Sequence, residues 1–367
     1  MTHSQRRARL AVALAARGVD ALVVSDLINV RYLSGFTGSN AALLVFAAGT
    51  GAVPGVLATD GRYRTQAARQ APDLDLMIER ACAPHLVGRA LAAGAARIGF
   101  ESHVVTVDGF DALSKRVAGH PGATLVRAAG AVERLREVKD AGEVALLRLA
   151  CEAADAALGA LIESGGLRPG RTERAVAREL ESLMLDHGAD FRAFETIVAT
   201  GANSAVPHHR PTDAELRAGD FVKIDFGALV GGYHSDMTRT FVLGTASDWQ
   251  REIYDLVAEA QRAGRAALSE GAELRAVDAA AREVITEAGH GDHFGHGLGH
   301  GVGLQIHEAP GIGAAAAGTL CAGSAVTVEP GVYLPGRGGV RIEDTLLVTD
   351  RGPELLTRFP RELAELS

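Results

Sequence analysis

Residues 222–241 read VKIDFGALVGGYHSDMTRTF. Two arms rich in β-branched and aromatic residues flank a Val-Gly-Gly turn, the composition of a β-hairpin. With Val230 and Gly231 at the tip, the pairing predicts Asp225 directly opposite Asp236. Cross-strand partners lie about 5 Å apart, and like charges placed so destabilise a sheet. Such a pair needs solvent, a shared proton or a cation to relieve it.

The pattern returns at an offset of 104 residues. LRAGDFVKID (216–225) aligns with LCAGSAVTVE (320–329), which sets Asp225 on Glu329; YHSDMTRTFV aligns with VRIEDTLLV, which sets Asp236 on Glu343. The second hairpin, VTVEPGVYLPGRGGVRIEDTLLV, turns at PGRGG and again bears one carboxylate on each arm. Upstream of each hairpin the order is also the same: long helix, second helix, strands. The first half predicts a helix from Lys139-Asp140 to Gly165-Gly166 and another over AVARELESLMLDHG; the second predicts DWQREIYDLVAEAQRAGRAALSEG and LRAVDAAAREVITEAG. Duplicated hairpins are expected to meet about a pseudo-two-fold axis, with four carboxylates at one point.

Four converging carboxylates carry more charge than one shared proton removes, whereas two divalent cations match it. Mn²⁺, Co²⁺ or Zn²⁺ suit oxygen ligands joined by one or two imidazoles. The imidazoles lie between the second helix and the second hairpin, in GHGDHFGHGLGHGVGLQIHEAP, which holds His290, His293, His296, His300 and His307. His296 and His300 are four apart, as in a helical HExxH pair. Glycines at 295, 297, 299, 301 and 303 oppose a helix, and no Glu follows His296, so the segment reads as extended chain passing close to another element. Only one or two of these histidines need be functional.

Working outward, residues 1–135 alternate strand-like runs (DALVVSD, AALLVFA, GVLATD, RIGFES) with helical ones (TQAARQ, HLVGRALAAGAA), a mixed α/β domain. The boundary falls before the long helix, giving domains 1–135 and 136–367 in a chain of overall α/β (α+β) class. A net charge of −8 without a basic run argues against a nucleic-acid surface. Cys82, Cys151 and Cys321 are too few and too scattered for a disulfide framework or a CxxC knuckle, so reduced thiols and a cytoplasmic location are expected. The N-terminal RRARLAVALAARGVD has a short apolar run closed by Arg17 and reads as an amphipathic helix ended by Gly18, not as an export signal. No stretch reaches the ~20 apolar residues of a membrane span.

The stretches PHHRPTDAELRAGDFVKIDFGALVGGYHSDMTRTF, GHGLGHGVGLQIHE and VTVEPGVYLPGRGGVRIEDT resemble the proline-specific metallopeptidases of the pita-bread fold, Xaa-Pro aminopeptidases and Xaa-Pro dipeptidases (prolidases). The likeness is strong over about residues 135–355, and YLSGFTGSNAALLV with TDGRY is similar to the smaller N-terminal domain of bacterial members. The resemblance implies that Asp225, Asp236, His300, Glu329 and Glu343 hold two metal ions, with Asp236 and Glu343 bridging. It implies Mn²⁺ first, Co²⁺ or Zn²⁺ otherwise, and a water activated between the ions. Glu329 is then the proton acceptor, His208 and His307 are hydrogen-bond donors to the peptide, His296 lies near the substrate, and Arg341 orients a carboxylate or the substrate. Duller readings stand beside these: His208 as a solvated loop residue, and Arg341 as an ion pair with Glu343 or Asp344. His209 is read as solvated.

The resemblance also implies a peptide substrate with proline at its second position and a homo-oligomer, a dimer by preference. A dipeptidase must hold the free carboxylate of its proline, which favours a cation. EAPGIGAAAAG after His307 offers none, leaving Arg337 and Arg341, and FTGS and TDGRY look more like aminopeptidase P. The expectation is therefore an Xaa-Pro aminopeptidase, with the dipeptidase as alternative. Metal-free relatives that act as binding modules, or as creatinase-like enzymes, are disfavoured by the intact ligand set.

Overall fold

The structure, a computed structural model, describes residues 1–50 and 55–366, and it divides into two compact units, Met1–Arg136 and a second beginning at Glu137. In the first, α1 (His3–Ala16) starts at a Thr2–Gln5 capping box and ends ahead of Gly18, whose φ of +62° suits a residue without a Cβ. Leu10 and Leu14 are buried, so the apolar run serves packing. The strands are β1 (Ala21–Val24), β2 (Ala41–Phe46), β3 (Val56–Thr59), β4 (Asp75–Ile78), β5 (Arg97–Phe100) and β6 (Thr124–Arg127), in the spatial order β4-β3-β2-β1-β5-β6. The sheet is mixed, antiparallel through β1, β2 and β3 and parallel elsewhere. The helices are α2 (Leu27–Ser34), α3 (Arg64–Gln70), α4 (Cys82–Ala92), α5 (Val107–Val117) and α6 (Glu133–Arg136). The expectations omitted α2, α5, α6, β4 and β6: the first has only 8 residues, and β4 and β6 bury neither face fully, so their periodicity is weak.

The second unit says the same thing twice in its hydrogen bonds. Helix α7 (Ala141–Glu163) begins at an Asp140–Glu143 capping box, and α8 (Glu173–Asp186) is capped by Thr172. Helices α9 (Asp248–Ala266) and α10 (Leu274–Glu287) repeat the pair. Ahead of α8, Gly170 N donates to Leu216 O and Leu216 N to Arg171 O; ahead of α10, Gly271 N donates to Leu320 O and Leu320 N to Ala272 O. Gly219 N and Gly323 N donate to Leu243 O and Val348 O in turn. Leu216/Leu320 and Gly219/Gly323 keep the offset of 104 that aligns Asp225 with Glu329, while their partners are shifted by a few residues.

Strands β7 (Phe191–Arg192), β8 (Ile197–Thr200), β9 (Phe221–Phe226), β10 (Ala228–Val230), β11 (Tyr233–His234) and β12 (Met237–Leu243) belong to the first half. The second half has β13 (Gly299–Gly301), β14 (Glu308–Ile312), β15 (Ala325–Val328), β16 (Gly331–Leu334), β17 (Gly338–Arg341), β18 (Asp344–Thr349) and β19 (Gly352–Leu355); β20 (Glu365–Leu366) joins β12. The sheets run β20-β12-β9-β8 and β14-β13-β15-β18-β19. Leu158, Leu161 and Leu180 of α7 and α8 pack on Val222, Ile224 and Phe241, and Tyr254, Val257 and Val277 of α9 and α10 pack on Val326, Val328 and Leu346. Each helix pair thus covers its own hairpin. No helix among the described residues is long and apolar enough to cross a membrane.

The first hairpin corrects the expected register. Its tip is Gly231-Gly232, at φ +57° and +85°, the left-handed pair that a tight two-residue turn demands. Asp225 therefore faces Thr238, and Asp236 lies two residues from Thr238 on the same face, a diagonal neighbour of Asp225. In the second hairpin the ladders Val328↔Asp344 and Gly331↔Arg341 set Glu329 opposite Glu343.

Candidate active site

Asp225, Asp236, Glu329 and Glu343, with His208, His296, His300, His307 and Arg341, line one cavity of about 450 Å³ in the second unit. The carboxylates arrive from the ends of β9 and β15 and from the residues before β12 and β18. His300 comes from the middle of β13, which is extended chain and not helix. A Cβ on Gly299 would stand 2.0 Å from Thr327 O, and one on Gly301 2.2 Å from Ala309 O, so glycine here permits two neighbouring strands to close on the histidine.

One ligating atom each from Asp236, His300 and Glu343 lie within 4.8 Å of one another. His300 Nδ1 is 3.1 Å from Gly301 O, which places its proton there and turns the Nε2 lone pair toward Glu329 Oε1 at 3.3 Å and Asp236 Oδ2 at 3.6 Å. A lone pair among carboxylate oxygens requires a proton or a cation between them. Asp225 Oδ1 is buried with no hydrogen-bond partner. Burial, with the neighbouring carboxylates Glu343, Asp225 and Glu329, pushes Asp236 well above the usual carboxylate range; burial with Glu329 and Asp225 does the same to Glu343. Burial also acts against the charge on Glu329, but the His300 hydrogen bond and charge and the Arg341 charge outweigh it and lower its pKa. An orphaned oxygen, an aimed imidazole and carboxylates that repel their own ionisation fit a donor set for divalent cations.

Arg341 pairs with neither Glu343 nor Asp344. Its Nη2 donates to Asp225 Oδ2 at 2.5 Å, its Nε to Thr238 Oγ1 at 3.0 Å, and its Nη1 to Tyr333 OH at 2.8 Å and Pro207 O at 3.2 Å. Asp344 is taken instead by Arg239 at 2.7 Å. The strand spacing argued for Glu343 because residues two apart share a face; the guanidinium instead reaches across to Asp225 on β9 and Thr238 on β12. Thr238 Oγ1 donates to Glu343 Oε2 at 2.6 Å and steadies that carboxylate.

Tyr333 was absent from the expectations. Its hydroxyl accepts from Arg341 and meets His296 Nε2 at 2.9 Å, while His296 Nδ1 faces Gly297 O at 2.8 Å. Both ring nitrogens of His296 are committed, so it meets the cavity with its ring and not with a free donor. Burial lowers the His296 pKa and raises that of Tyr333 to about 12, so the histidine is neutral and the phenol protonated at neutral pH. His307 packs edge-on against His300, ring centres 4.4 Å apart; burial and the His300 charge lower its pKa. His208 is exposed on the cavity wall. His209 is not solvated as expected: its Nε2 lies 2.8 Å from Glu173 Oε2, a carboxylate with no exposure, and this ties the His208 loop to α8. His290 and His293 face each other, Nδ1 to Nδ1 at 3.2 Å, away from the cavity lining.

Two further corrections concern cations. Arg337 stacks over Trp249, 4.1 Å from the ring centre, and does not line the cavity. Arg210 does, with Glu195 Oε2 3.1 Å from its Nε and a largely exposed guanidinium. The only sequence signal for it was the adjacent His208-His209 pair.

Residues 145–350 match metallopeptidase family M24, and residues 6–138 match the creatinase/prolidase N-terminal domain. Over 232 residues, 63% of this chain and 66% of the other, the chain is 47% identical to a Xaa-Pro dipeptidase of Pyrococcus furiosus. Among solved structures it is similar to a Xaa-Pro dipeptidase from Bacillus anthracis, with a TM-score of 0.93, 37% identity and all of both chains covered. It is also similar to an X-Pro aminopeptidase from Thermotoga maritima, with a TM-score of 0.88, 32% identity and 98% and 99% of the two chains covered.

Proposed function

The chain belongs to metallopeptidase family M24, and from that premise we propose that it is an Xaa-Pro dipeptidase, hydrolysing the bond between an N-terminal residue and a C-terminal proline. The reading departs from the aminopeptidase expected from FTGS and TDGRY. Those motifs fall within a domain matched as creatinase/prolidase, so they do not separate the two activities. The observation that carries the dipeptidase reading is Arg210. Of the two arginines lining the cavity, Arg341 spends its guanidinium on Asp225, Thr238, Tyr333 and Pro207, whereas Arg210 keeps a solvent-facing charge at the cavity wall. A guanidinium there suits the free carboxylate that only a dipeptide places next to its proline ring.

Asp225, Asp236, His300, Glu329 and Glu343 would hold two divalent ions, Mn²⁺ by preference and Co²⁺ or Zn²⁺ otherwise. When bound, such ions lower the pKa of water toward ~7 and polarise the scissile carbonyl. The chain's own groups do the rest. Glu329, kept ionised by His300 and Arg341, accepts the proton of the attacking water. His307, neutral at neutral pH, and His208 donate hydrogen bonds to the peptide and to the developing oxyanion, each contribution about 3 kcal/mol. Arg341 holds Asp225, and the Arg341–Tyr333–His296 chain braces the wall beside the substrate.

The test is hydrolysis of Ala-Pro beside Ala-Pro-Ala with Mn²⁺ added and then chelated. Cleavage of Ala-Pro over the tripeptide is expected. Preference for the tripeptide restores the aminopeptidase reading, which the likeness to the Thermotoga structure supports; cleavage of neither overturns both.

A further inference from the structure

Lys223 lies on β9, two residues before Asp225, and is fully buried. A buried ammonium ordinarily has a carboxylate partner, because desolvating an unpaired charge costs several kcal/mol. Lys223 forms no ion pair among the described residues. Its Nζ donates to Val206 O at 2.7 Å and reaches Pro207 O at 3.4 Å, and it stands 5.0 Å from the centre of the Tyr333 ring. An apolar residue would fill this strand position at no such cost; what the lysine adds is the grip of its head group on two carbonyls.

The gripped carbonyls are those of the two residues immediately before His208. Pro207 O also accepts from Arg341 Nη1 at 3.2 Å. Upstream, Ser204 Oγ accepts from Gly339 N at 2.9 Å; downstream, His209 is held by Glu173. His208 itself is exposed, so its place on the cavity wall is set by its backbone and not by packing around its ring. The same Tyr333 that lies beneath Lys223 carries the Arg341–His296 chain, so one lysine ties the His208 loop to the wall bearing Asp225, His296 and Arg341.

We propose that Lys223 is a positioning residue for the reaction: by holding the Val206 and Pro207 carbonyls it fixes the His208 imidazole where the peptide is bound. This rests on the reading that His208 touches the substrate.

The test is a double-substitution cycle on the metal-loaded enzyme, read as kcat/KM on Ala-Pro, together with hydrogen exchange over residues 201–210. Lys223→Met is expected to lower kcat/KM at least about tenfold, as a small misplacement of a donor does. It should speed exchange at the Val206 amide, which donates to Asn203 O. In a His208→Ala background it should cost about twofold at most, because the loss travels through His208. Lys223→Arg, which keeps cationic donors, recovers part of the loss. A full tenfold loss in the His208→Ala background, or unchanged exchange over 201–210, overturns the proposal. Should Lys223→Met fail to fold, Lys223→Gln is taken through the same cycle and judged by the same two outcomes. A wild-type enzyme inactive on Xaa-Pro peptides overturns the functional reading instead, and exchange then still decides whether Lys223 holds the loop.

Discussion

Arg341 binds one oxygen of Asp225 at 2.5 Å and leaves the other, Oδ1, buried and without a partner. The guanidinium offsets part of the charge on this wall while the free oxygen stays available inside the cavity. Removing either member exposes the other to the full cost of burial. Arg341→Met is expected to destabilise the protein by about 3–5 kcal/mol, read by denaturant unfolding, and Arg341→Lys to rescue little of it, because one ammonium cannot reach Asp225, Thr238 and Tyr333 together.

Asp225→Asn should keep the Arg341 contact geometry and lose divalent-cation binding. Isothermal titration of the metal-free protein with Mn²⁺ is expected to show at least about tenfold weaker binding at one site, with activity falling in step.

The raised pKa values of Asp236 and Glu343 make a stability prediction for the metal-free chain. Both groups hold protons more tightly folded than unfolded, so their contribution is intact below the unfolded carboxylate value of ~4 and is lost as pH rises through their higher folded values. The raised pKa of His300 acts in the same direction, while the lowered one of Glu329 opposes it. Divalent ions displace those protons. The gap in Tm between Mn²⁺-loaded and chelated protein should therefore be wider at pH 8 than at pH 5; a gap that narrows with pH contradicts the ligand assignment.

Tyr333→Phe removes the hydroxyl shared by Arg341 and His296. The loss leaves His296 Nε2 without a partner and costs about 1–3 kcal/mol of stability. A fall in kcat of about tenfold with little change in KM is expected if the chain braces the reacting region and not the binding step.

Arg210→Ala should raise KM for Ala-Pro about tenfold or more, the worth of a charge-assisted hydrogen bond to a carboxylate. The same substitution should change hydrolysis of Ala-Pro-amide much less. Equal losses on the acid and the amide contradict a carboxylate role.

Gly299→Ala places a methyl 2.0 Å from the Thr327 carbonyl, a backbone atom that cannot swing away. Destabilisation of about 1–3 kcal/mol, measured by thermal unfolding, is expected, and displacement of the adjacent His300 should weaken Mn²⁺ binding.

The sequence by itself determined the repeat. Leu216 and Leu320 align in the chain and make the same hydrogen bonds before α8 and α10, because a duplicated order of helices and strands brings the same pair of segments together in each half. It also determined that GHGLGHGVG is not a helix, since five alternate glycines deny one, although only Gly299–Gly301 forms a strand. Which carboxylate Arg341 serves, that His209 is held by Glu173, that Tyr333 joins two walls and that Arg210 and not Arg337 reaches the cavity were decided only by the tertiary structure. Even the first hairpin's register turned on a single step, Gly231-Gly232 in place of Val230-Gly231. Neighbours in the chain set backbone torsions, but a charged side chain chooses its partner by distance through space, and that distance exists only once the strands have packed.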